Sequence, residues 1–439
     1  MTDFDVIVVG AGPAGAAAAL ELARAGVSVC LLERGPFPGS KNMYGGVIYG
    51  RILDTLLPNW WEEVPVQRWV TRRSTMIMTG SQALTVDYRT ESWGRPPYNG
   101  MTAFRPEFDA WLAGKATDAG AVLVTSTTAT GLLREGVGPD GTGGRVVGVR
   151  TDRPDGDLTA SVVIACDGVN SFLAKEAGLY GETDPANYTV GVKQTITLPR
   201  DVIDERFGVR GDHGVDIEIM GCTGNVPGGG FVYTNRDSLA VGLVLSLPAL
   251  AKGGRRPEEL LEDLKVHDAI APLIDGGDVS EYSAHVIPEA GYDMMPELVG
   301  DGLLVAGDAA AMCLAAGIWL EGVNFAIGSG AAAGRAAVRA VRRKDVSAAG
   351  LASYRSQLES SFVLQDHKKL RQAPHIVMGE FAQQQAPGLV CGVAEELFTV
   401  TNPVRKPGAL KILRTEMRRN DVKLRTALRD GWRALRSFG

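Results

Sequence analysis

The chain has 439 residues, of which 45% are hydrophobic, 22% charged and 7% aromatic. This composition is typical of globular proteins and excludes the disordered, collagen-like and coiled-coil classes. The length exceeds what one hydrophobic core usually holds, so we expect two or three domains. A net charge of −6 gives no general case for nucleic-acid binding.

The five cysteines, Cys30, Cys166, Cys222, Cys313 and Cys391, lie far apart in the sequence. No pair has the CxxC spacing, which argues against a disulfide framework, a structural zinc site or a cysteine-ligated iron–sulfur cluster. We therefore predict no metal site and a reducing, cytoplasmic location. The N-terminus has no basic segment before its first apolar run, as a signal peptide would. The longest apolar region, 303–338, is interrupted by charged residues, so we do not expect it to span a bilayer.

The N-terminus predicts a strand, a glycine-rich turn, a helix and a second strand. Residues 5–9 (DVIVV) read as a buried strand, and the turn at 10–15 (GAGPAG) follows directly. Residues 16–25 favour a helix, and the apolar run at 27–32 ends in Glu33. This is the GxGxxG pattern within a βαβ unit that ends in an acidic residue, which is typical of dinucleotide binding.

Each residue of this pattern has a physical role. Gly10 permits the tight turn, Gly12 lets a pyrophosphate approach the backbone, and Gly15 allows close packing of helix on strand. The helix N-terminus offers N–H groups and a positive dipole to phosphates. Glu33 can accept hydrogen bonds from a ribose diol. The alternative is a glycine-rich turn in an unrelated α/β fold.

Two later segments favour FAD over NAD. Residues 162–171 (VVIACDGVNS) and 302–310 (GLLVAGDAA) each predict a strand that ends in an acidic glycine turn. Asp308 in the second segment suits the ribityl chain of a flavin. Taken singly, Asp167 and Asp308 would be interpreted as helix-capping residues, but the three elements in this order make a flavin site the better interpretation.

These three segments resemble the glutathione-reductase-type FAD proteins, in the branch of aromatic hydroxylases, geranylgeranyl reductases and electron-transfer-flavoprotein dehydrogenases. Residues 105–112 (RPEFDAWL) match that branch's R-x-x-F-D-x-W-L helix start, whose arginine contacts FAD. The resemblance implies an α/β fold: an FAD-binding Rossmann domain, an inserted, mainly antiparallel β substrate domain and a helical C-terminal region.

Within this branch, several segments resemble the FixC family, the quinone-oxidoreductase partners of electron-transfer flavoprotein. They are residues 38–46 (PGSKNMYGG), 191–194 (GVKQ), 228–235 (GGGFVYTN), 320–326 (LEGVNFA) and 361–366 (SFVLQD). The cysteine-rich ferredoxin region of the eukaryotic-type quinone oxidoreductases is absent. The resemblance therefore implies electron-transfer flavoprotein as a partner, with a quinone, or a separate ferredoxin-like subunit, receiving the electrons.

The resemblance also implies a discontinuous domain organisation. We expect the FAD-binding domain at 1–65, 101–182 and 285–345, and the substrate domain, on the quinone side, at 66–100 and 183–284. Residues 346–439 should form a helical region with a basic tail. The Gly- and Pro-containing segment 136–144 predicts a surface turn.

The motifs and the resemblance together nominate a set of cofactor-binding residues. Gly45 and Gly46 would let the flavin ring lie against backbone, and residues 322–324 would open a helix aimed at its pyrimidine end. The predicted FAD-binding residues are Gly10, Gly12, Pro13, Ala14, Gly15, Glu33, Arg34, Gly45, Gly46, Arg105, Ala129, Asp167, Gly168, Gly307, Asp308, Gly322, Val323 and Asn324. No catalytic residue is predicted, because the five histidines show no catalytic or metal-binding spacing. His285 and Tyr292 are the nearest candidates.

The C-terminal segment has a character of its own. From Arg405 to the end, eleven Lys and Arg residues accompany three acidic residues. Apolar residues recur here at helical spacing: Leu410, Leu413, Met417, Leu424, Leu428, Trp432 and Leu435. This pattern predicts a basic amphipathic helix, broken near Asn420, that either lies on anionic lipid at the inner face of the membrane or packs on protein, including an acidic partner. Trp60 and Trp61 follow another apolar cluster, for which we favour a core helix over a contact with the membrane or a quinone.

The leading hypothesis is an FAD-dependent oxidoreductase that takes electrons from electron-transfer flavoprotein and passes them towards a quinone or a ferredoxin-like partner. Flavin and partners supply the redox chemistry in such a protein, so no catalytic acid or base is required. The alternatives are a flavin-dependent reductase of a lipid-like or natural-product small molecule, as in geranylgeranyl reductases, an aromatic monooxygenase, and a flavoprotein that only binds.

Overall fold

The computed structural model describes residues 2–41, 45–138, 143–317 and 319–438. Parts of two predicted features, the segment 38–46 and the turn at 136–144, lie outside the described residues. The strands, in chain order, are β1 (Phe4–Val9), β2 (Val29–Leu32), β3 (Gly45–Ile48), β4 (Arg68–Met78), β5 (Ala83–Arg89), β6 (Met101–Phe104), β7 (Val122–Val124), β8 (Ala129–Glu135), β9 (Arg145–Thr151), β10 (Leu158–Ala165), β11 (Tyr188–Thr197), β12 (His213–Met220), β13 (Gly228–Thr234), β14 (Ser238–Ser246), β15 (Asp278–Pro288), β16 (Val299–Gly300), β17 (Leu303–Val305), β18 (Leu314–Ala315) and β19 (Leu320–Glu321).

The helices are interleaved with these strands and become continuous towards the C-terminus. They are α1 (Pro13–Arg24), α2 (Arg105–Asp118), α3 (Phe172–Glu176), α4 (Arg200–Phe207), α5 (Leu247–Gly253), α6 (Pro257–Val266), α7 (Ala271–Ile274), α8 (Val323–Arg343), α9 (Ala348–Leu351), α10 (Ser353–Glu359), α11 (Phe362–Lys369), α12 (Ala373–Val377), α13 (Ala386–Phe398), α14 (Ala409–Arg419) and α15 (Leu424–Phe438), with a π-helical turn at Phe381–Gln385. Short 3₁₀ turns lie at Gly50–Thr55, Trp60–Glu62, Glu91–Gly94, Pro185–Asn187, Gly291–Met294 and Gly307–Ala310.

The first sheet is built on parallel strands in the order β17-β10-β1-β2-β7. β16 adds antiparallel to β17, and the hairpin β8–β9 joins through β10. Both faces of the parallel strands are covered, which explains their continuous apolar sequences. Helices α1 and α8 pack on one face, and the hairpin covers the other.

Small residues allow α1 and α8 to lie unusually close. A Cβ atom built on Gly330 would lie 1.9 Å from the carbonyl oxygen of Ala14, and one on Gly334 would lie 2.6 Å from that of Ala18. This contact explains the alanine- and glycine-rich sequence of both helices. It also brings both helix N-termini to the carboxyl edge of the parallel sheet.

The second sheet has the order β15-β11-β14-β13-β12-β4-β6-β3, with β5 paired to β4. Its strands are antiparallel except for the pair β4–β12, which is parallel. One face packs on α4 and α6 through an apolar core that includes Ile203, Phe207 and Leu261. The opposite face is turned towards the site described below.

The predicted domain ranges do not follow sheet membership. β3 and β6 fall in ranges assigned to the FAD-binding domain, and β15 crosses the predicted boundary at residue 285, yet all three pair within the second sheet. β3 and β6, of four residues each, carry too little sequence pattern to indicate which sheet they join, and the pairing of β15 depends on long-range register. The division into domains therefore stays a prediction.

The C-terminal region is helical from α9 onwards in the part of the chain that the structure describes. The predicted break near Asn420 is confirmed, because α14 ends at Arg419 and α15 starts at Leu424. Trp60 is 2% exposed and lies in the core, as expected for the core interpretation. Among the described residues, every helix is too short or too polar to cross a bilayer.

Candidate functional site

A cavity of about 740 Å³ lies between the carboxyl edge of the parallel sheet and the inner face of the second sheet. Carboxyl ends of parallel strands meet at one edge, which is where α/β folds bind ligands. Here the turns after β1, β2, β10 and β17 meet, and they carry Gly10, Glu33, Asp167 and Asp308. We call this side of the cavity the parallel-edge wall.

The turn after β1 depends on glycine for close backbone approach. Gly10 has φ of +99°, and a Cβ atom on it would lie 2.3 Å from the carbonyl oxygen of Cys166. A Cβ atom on Gly15 would lie 1.8 Å from the carbonyl oxygen of Gly10. The nearest atom to a Cβ on Gly12, by contrast, is a nitrogen of Arg105 at 3.7 Å. The backbone at Gly12 is therefore open to the cavity, as a bound pyrophosphate requires.

Glu33 is 7% exposed and braces this turn. Its Oε2 accepts a hydrogen bond from the N–H of Ala11 at 3.1 Å, and its Oε1 accepts one from the N–H of Gly35 at 2.7 Å. Each carboxylate oxygen has a second lone pair, and the residue lines the cavity. Glu33 can therefore hold the turn and still accept a ribose hydroxyl.

A buried ion pair orients Arg105 at the start of α2. Its Nε and Nη2 donate to the two carboxylate oxygens of Asp109 at 2.7 and 2.8 Å, a bidentate arrangement. Burial raises the pKa of Asp109, and Arg105 opposes this rise. Arg105 lines the cavity, so the ion pair fixes a guanidinium group beside the glycine turn.

Asp167 has both a capping and a cavity position. Its Oδ2 accepts a hydrogen bond from the N–H of Leu173 in α3 at 3.1 Å, while its Oδ1 is buried without a hydrogen-bond partner. Burial raises the pKa of its carboxyl group. Asp167 therefore caps α3, as the capping interpretation holds, and together with Gly168 it also lines the cavity.

The third glycine turn meets the first at the centre of this wall. Gly307 has φ of +67°, and a Cβ atom on it would lie 2.8 Å from the Cβ of Ala14. Asp308 follows and lines the cavity, as do Gly322 and Val323 at the start of α8. The first N–H groups of a helix have no partner within the helix, so α8 presents donors and a positive dipole to this space.

Most of the predicted cofactor residues lie on this cavity. Those that line it are Gly10, Gly12, Pro13, Ala14, Glu33, Arg34, Arg105, Ala129, Asp167, Gly168, Asp308, Gly322 and Val323. Gly15 and Gly307 instead make the close backbone contacts described above. The glycine cradle, the two helix N-termini and the carboxylates at the strand ends fit the phosphates, sugar hydroxyls and flavin of FAD.

Three further predicted residues are not among those that line the cavity. Gly45 and Gly46 lie in β3, which is hydrogen-bonded to β6, next to Val47, which does line it. The absence of a side chain at Gly45 makes room for Phe104, whose Cδ1 would lie 2.7 Å from a Cβ atom there. Asn324 also lies outside the cavity lining, and its Nδ2 donates to Glu321 Oε2 at 2.5 Å.

The opposite side of the cavity, which we call the mixed-sheet wall, contains none of the nominated cofactor residues, although most of it lies in the ranges expected on the quinone side, 66–100 and 183–284. It is lined by Tyr49, Asp216, Glu218, Phe231 and Tyr233. The register aligns Asp216 with both Arg73 and Tyr233 across neighbouring strands, and Glu218 with Phe231. The available signal was the alternation of charged and apolar residues in β12. In a strand, that alternation is also typical of a solvent-exposed face.

Arg73 is paired with two carboxylates on this wall. Its Nε donates to Asp216 Oδ2 at 3.0 Å, and its Nη2 donates to Glu218 Oε1 at 2.6 Å. Burial raises the pKa of both carboxyl groups, and Arg73 offsets only part of the rise. The pKa of Glu218 reaches about 8, with the negative charge of Asp216 as a further cause.

The remainder of the cavity is largely apolar. Phe231 and Tyr233 stack with ring centroids 4.6 Å apart, and Val47 and Val244 pack beside them. The C-terminal region closes the cavity with Val377, Met378 and Gln383. Gln383 is held by hydrogen bonds to two backbone groups. Its Oε1 accepts a hydrogen bond from the N–H of Gly228, and its Nε2 donates one to the carbonyl oxygen of Val377.

The two catalytic candidates from the sequence have different positions. His285 lines the cavity, and burial lowers the pKa of its imidazole. Tyr292 lies outside the lining, and the cationic groups of Lys368 and Arg371 lie 5.9 and 5.8 Å from the centroid of its ring. Among the described residues, no three His, Cys, Asp or Glu side chains are grouped to hold a metal ion.

The chain is similar to known proteins in both sequence and fold. Residues 5–189 match the family model of FAD dependent oxidoreductases. Protein FixC from Escherichia coli O157:H7 is 42% identical over 413 residues, 94% of each chain. The probable electron transfer flavoprotein-quinone oxidoreductase YdiS of E. coli K12 is 39% identical over 433 residues, 97% of this chain and 99% of that protein.

Among solved structures, a geranylgeranyl bacteriochlorophyll reductase-like protein from Thermoplasma acidophilum superimposes with a TM-score of 0.71. It covers 97% of this chain and 98% of its own, at 20% sequence identity. At this identity the likeness concerns the fold alone.

Proposed function

Because the chain belongs to the FixC family of FAD-dependent oxidoreductases, we propose that it takes electrons from an electron-transfer flavoprotein and passes them to a quinone. FAD is its cofactor. The observation that carries the proposal is the cavity, which joins the flavin-type parallel-edge wall to the mixed-sheet wall, with its apolar surface of stacked rings and valines, within one space. The name of the relative YdiS supports the same two partner classes.

We assign the parallel-edge wall to the cofactor. Bound FAD supplies the two-electron redox chemistry, and the chain binds and orients it. The open backbone at Gly12 and the N-terminus of α1 would hold the pyrophosphate, Glu33 a ribose, and Asp308 the ribityl chain. The N-terminus of α8 would stabilise negative charge on the reduced ring. We also assign to FAD binding the cavity-lining residues Arg34, Arg105, Ala129, Asp167 and Gly168.

We assign the mixed-sheet wall to the electron acceptor. Stacked aromatic rings and valine side chains favour a flat, apolar molecule, and quinones have this character. Phe231, Tyr233, Val47 and Val244 form this surface. A quinone placed there would share the cavity with the flavin, so direct electron transfer needs no further group on the chain.

We further propose that the C-terminal tail holds the protein on an anionic lipid surface. Leu424, Leu428, Trp432 and Leu435 of α15 are 63–71% exposed, and all eleven basic residues from Arg405 onwards are exposed as well. Each cation near anionic lipid contributes about 1 kcal/mol. α15 contacts α12 and the π-helical turn, both of which contribute cavity-lining residues, so a lipid-soluble quinone would have a short path from membrane to cavity.

Anaerobic stopped-flow spectroscopy tests the electron-transfer proposal. The oxidised protein is mixed with reduced electron-transfer flavoprotein and, separately, with NADPH, while flavin absorbance is followed. We expect bleaching by the flavoprotein alone, and then reoxidation by a decyl-substituted benzoquinone. Bleaching by NADPH alone would overturn the proposal and favour a small-molecule reductase, for which the same apolar wall would bind the substrate. Reduction by the flavoprotein without reoxidation by quinone would point to a ferredoxin-like acceptor instead.

A cavity-filling variant locates the acceptor. Val244→Trp adds a large side chain to the mixed-sheet wall, so we expect normal reduction but at least tenfold slower reoxidation by the quinone. Val86→Trp on β5, where the valine is 66% exposed, serves as the matched control. Equal reoxidation rates in the two variants would remove the quinone from this wall.

Vesicle flotation tests the tail. With phosphatidylglycerol vesicles we expect binding by the unmodified protein, strong loss of binding in Leu428→Ser/Trp432→Ser, and no binding to phosphatidylcholine vesicles. Val266→Ser, an exposed apolar position on α6, is the control. Undiminished binding by the double variant would contradict the proposal and favour a protein partner for the tail.

A further inference from the structure

The mixed-sheet wall carries more negative than positive groups at the point where Arg73 lies. Asp216 and Glu218 point to the same face of β12, and the single guanidinium of Arg73 contacts both. The side chain of Asp216 is 1% exposed, and its Oδ1 has no hydrogen-bond partner. Two carboxylates that share one cation in a buried place cannot both be charged at low cost, so the pair favours holding one proton.

Among the described residues, Arg73 is the only cation that acts on the pair. The titratable and charged side chains next to the pair are Tyr49 after β3, Arg73 on β4, Tyr88 opposite Arg73 on β5, Tyr233 on β13 and Glu321 on β19. Glu321 cannot offset the negative charge of the pair, because a carboxyl group is either neutral or negative. Burial and the nearby Asp366 raise its pKa. Tyr49 interacts electrostatically with Arg73, Asp216, Glu218 and Glu321, which shows that they form one cluster.

The cluster lies where the two halves of the proposed site meet. Glu321 directly precedes Gly322, the N-cap of α8 on the flavin side. Glu218 is aligned with Phe231, and Asp216 with Tyr233, the rings assigned above to the quinone. All these residues line the same cavity, so a quinone stacked on the rings lies beside the carboxyl pair.

We propose that Asp216 and Glu218 hold one exchangeable proton, positioned by Arg73, which Glu218 delivers to the quinone during its reduction. The inference rests on the proposed function, because the proton is needed only when a quinone is the acceptor. It makes Glu218 a proton donor and Arg73 and Asp216 positioning residues.

The step balances in atoms and charge. Reduction of a quinone to its hydroquinone takes up two electrons and two protons. Bound reduced FAD would supply both electrons and one proton. The second proton leaves the Glu218 carboxyl group, so its O–H bond breaks as an O–H bond forms on the quinone oxygen. The carboxyl pair thereby gains one negative charge, which balances the negative charge that an anionic reduced cofactor would give up. Solvent restores the proton, since the Glu218 side chain is 10% exposed.

Infrared spectroscopy of the oxidised protein tests the proton without any turnover. The carbonyl band of a protonated carboxyl group should disappear as the pH rises through about 8, following the raised pKa of Glu218. This titrating band should be absent in Glu218→Gln and unchanged in Asp87→Asn. Asp87 is a suitable control because it pairs with Arg72, the neighbour of Arg73 on β4, at 2.6 Å. Glu289, whose pKa burial raises to about 7, should give a separate band that titrates at lower pH. A band titrating at about pH 8 that survives in Glu218→Gln overturns the inference.

Reoxidation of dithionite-reduced protein by a decyl-substituted benzoquinone tests the delivery. The rate in the unmodified protein should fall above about pH 8, whereas Glu218→Gln should be about a hundredfold slower at pH 7 and independent of pH. Glu218→Asp should restore part of the rate, and Asp87→Asn should behave as the unmodified protein. If quinone reoxidises Glu218→Gln at the normal rate, the inference fails while the proposed function stands. If quinone does not reoxidise the unmodified protein at any pH, both fail together.

Discussion

The cavity is bounded on one side by backbone and glycine turns and on the other by side chains from separate strands. On the parallel-edge wall, Gly10 and Gly15 bring chain segments within contact distance, and the only residues that fit are those without a side chain. On the mixed-sheet wall, Arg73 and Glu218 are 145 residues apart in sequence and meet through strand register. The first wall is therefore sensitive to any added atom, and the second to the charge and shape of particular side chains.

Gly15→Ala should have the largest effect. Its Cβ atom would lie 1.8 Å from the Gly10 carbonyl oxygen, so the backbone of the turn must shift. We expect loss of bound FAD and a free energy of unfolding lower by about 3 kcal/mol, the upper part of the range for overpacking. Flavin absorbance per protein and urea denaturation measure both. Gly114→Ala, in α2 with no atom within 4 Å of the added Cβ, is the control, and a fully flavinated Gly15→Ala protein would refute the close-packing argument.

Arg73→Met tests the charge dependence of the other wall. Removing the cation leaves two buried carboxyl groups, which should lower the free energy of unfolding by about 3 kcal/mol at pH 8. The folded-state pKa values of Asp216 and Glu218 are already raised by burial, and the substitution raises them further. Such groups contribute stability below their unfolded pKa and lose it as the pH rises through the folded pKa.

The loss in Arg73→Met should therefore shrink at pH 5 and grow towards pH 9, which denaturation at several pH values will measure. Arg72→Met is the matched control, because Arg72 precedes Arg73 on β4 and pairs with the half-exposed Asp87. It should cost about 1 kcal/mol with little pH dependence. Parallel pH profiles in the two variants would contradict the buried-pair description.

The same contrast explains what the sequence could predict. The turns at 10–15, 165–168 and 306–308 are local, and each combines a buried strand with glycine and an acidic residue, so their order predicted the parallel-edge wall and its cofactor. The alternating residues of β12 were not used in the prediction, and by themselves they indicate only that Asp216 and Glu218 share a face. Which strand lies opposite, and whether that face is solvent or cavity, depends on long-range pairing. At Gly45 the structure adds a packing reason for the glycine, the close approach of Phe104, which the sequence did not indicate, and its flavin contact stays a prediction.

Asp308→Ala should weaken the cofactor without unfolding the protein. The residue lines the cavity, and one hydrogen bond to a carboxylate contributes about 1.5–3 kcal/mol. We therefore expect a ten- to hundredfold higher Kd for FAD, measured by quenching of flavin fluorescence in the reconstituted apoprotein. Asp118→Ala, at the exposed end of α2, is the control. An unchanged Kd would remove Asp308 from the proposed cofactor contacts.

Phe231→Leu should have the smallest effect and should separate the two walls. Loss of the ring removes its stacking on Tyr233, whose centroid lies 4.6 Å away, and such pairs contribute about 1 kcal/mol beyond burial. Because Phe231 belongs to the mixed-sheet wall, we expect a higher KM for a decyl-substituted benzoquinone with an unchanged Kd for FAD. Tyr88→Leu, which breaks the exposed Tyr88–Trp93 contact, should change neither value. A Phe231→Leu protein that loses FAD but keeps its quinone KM would reverse the assignment, since the ring would then belong to the cofactor contact and the walls could not be treated as separate binding surfaces.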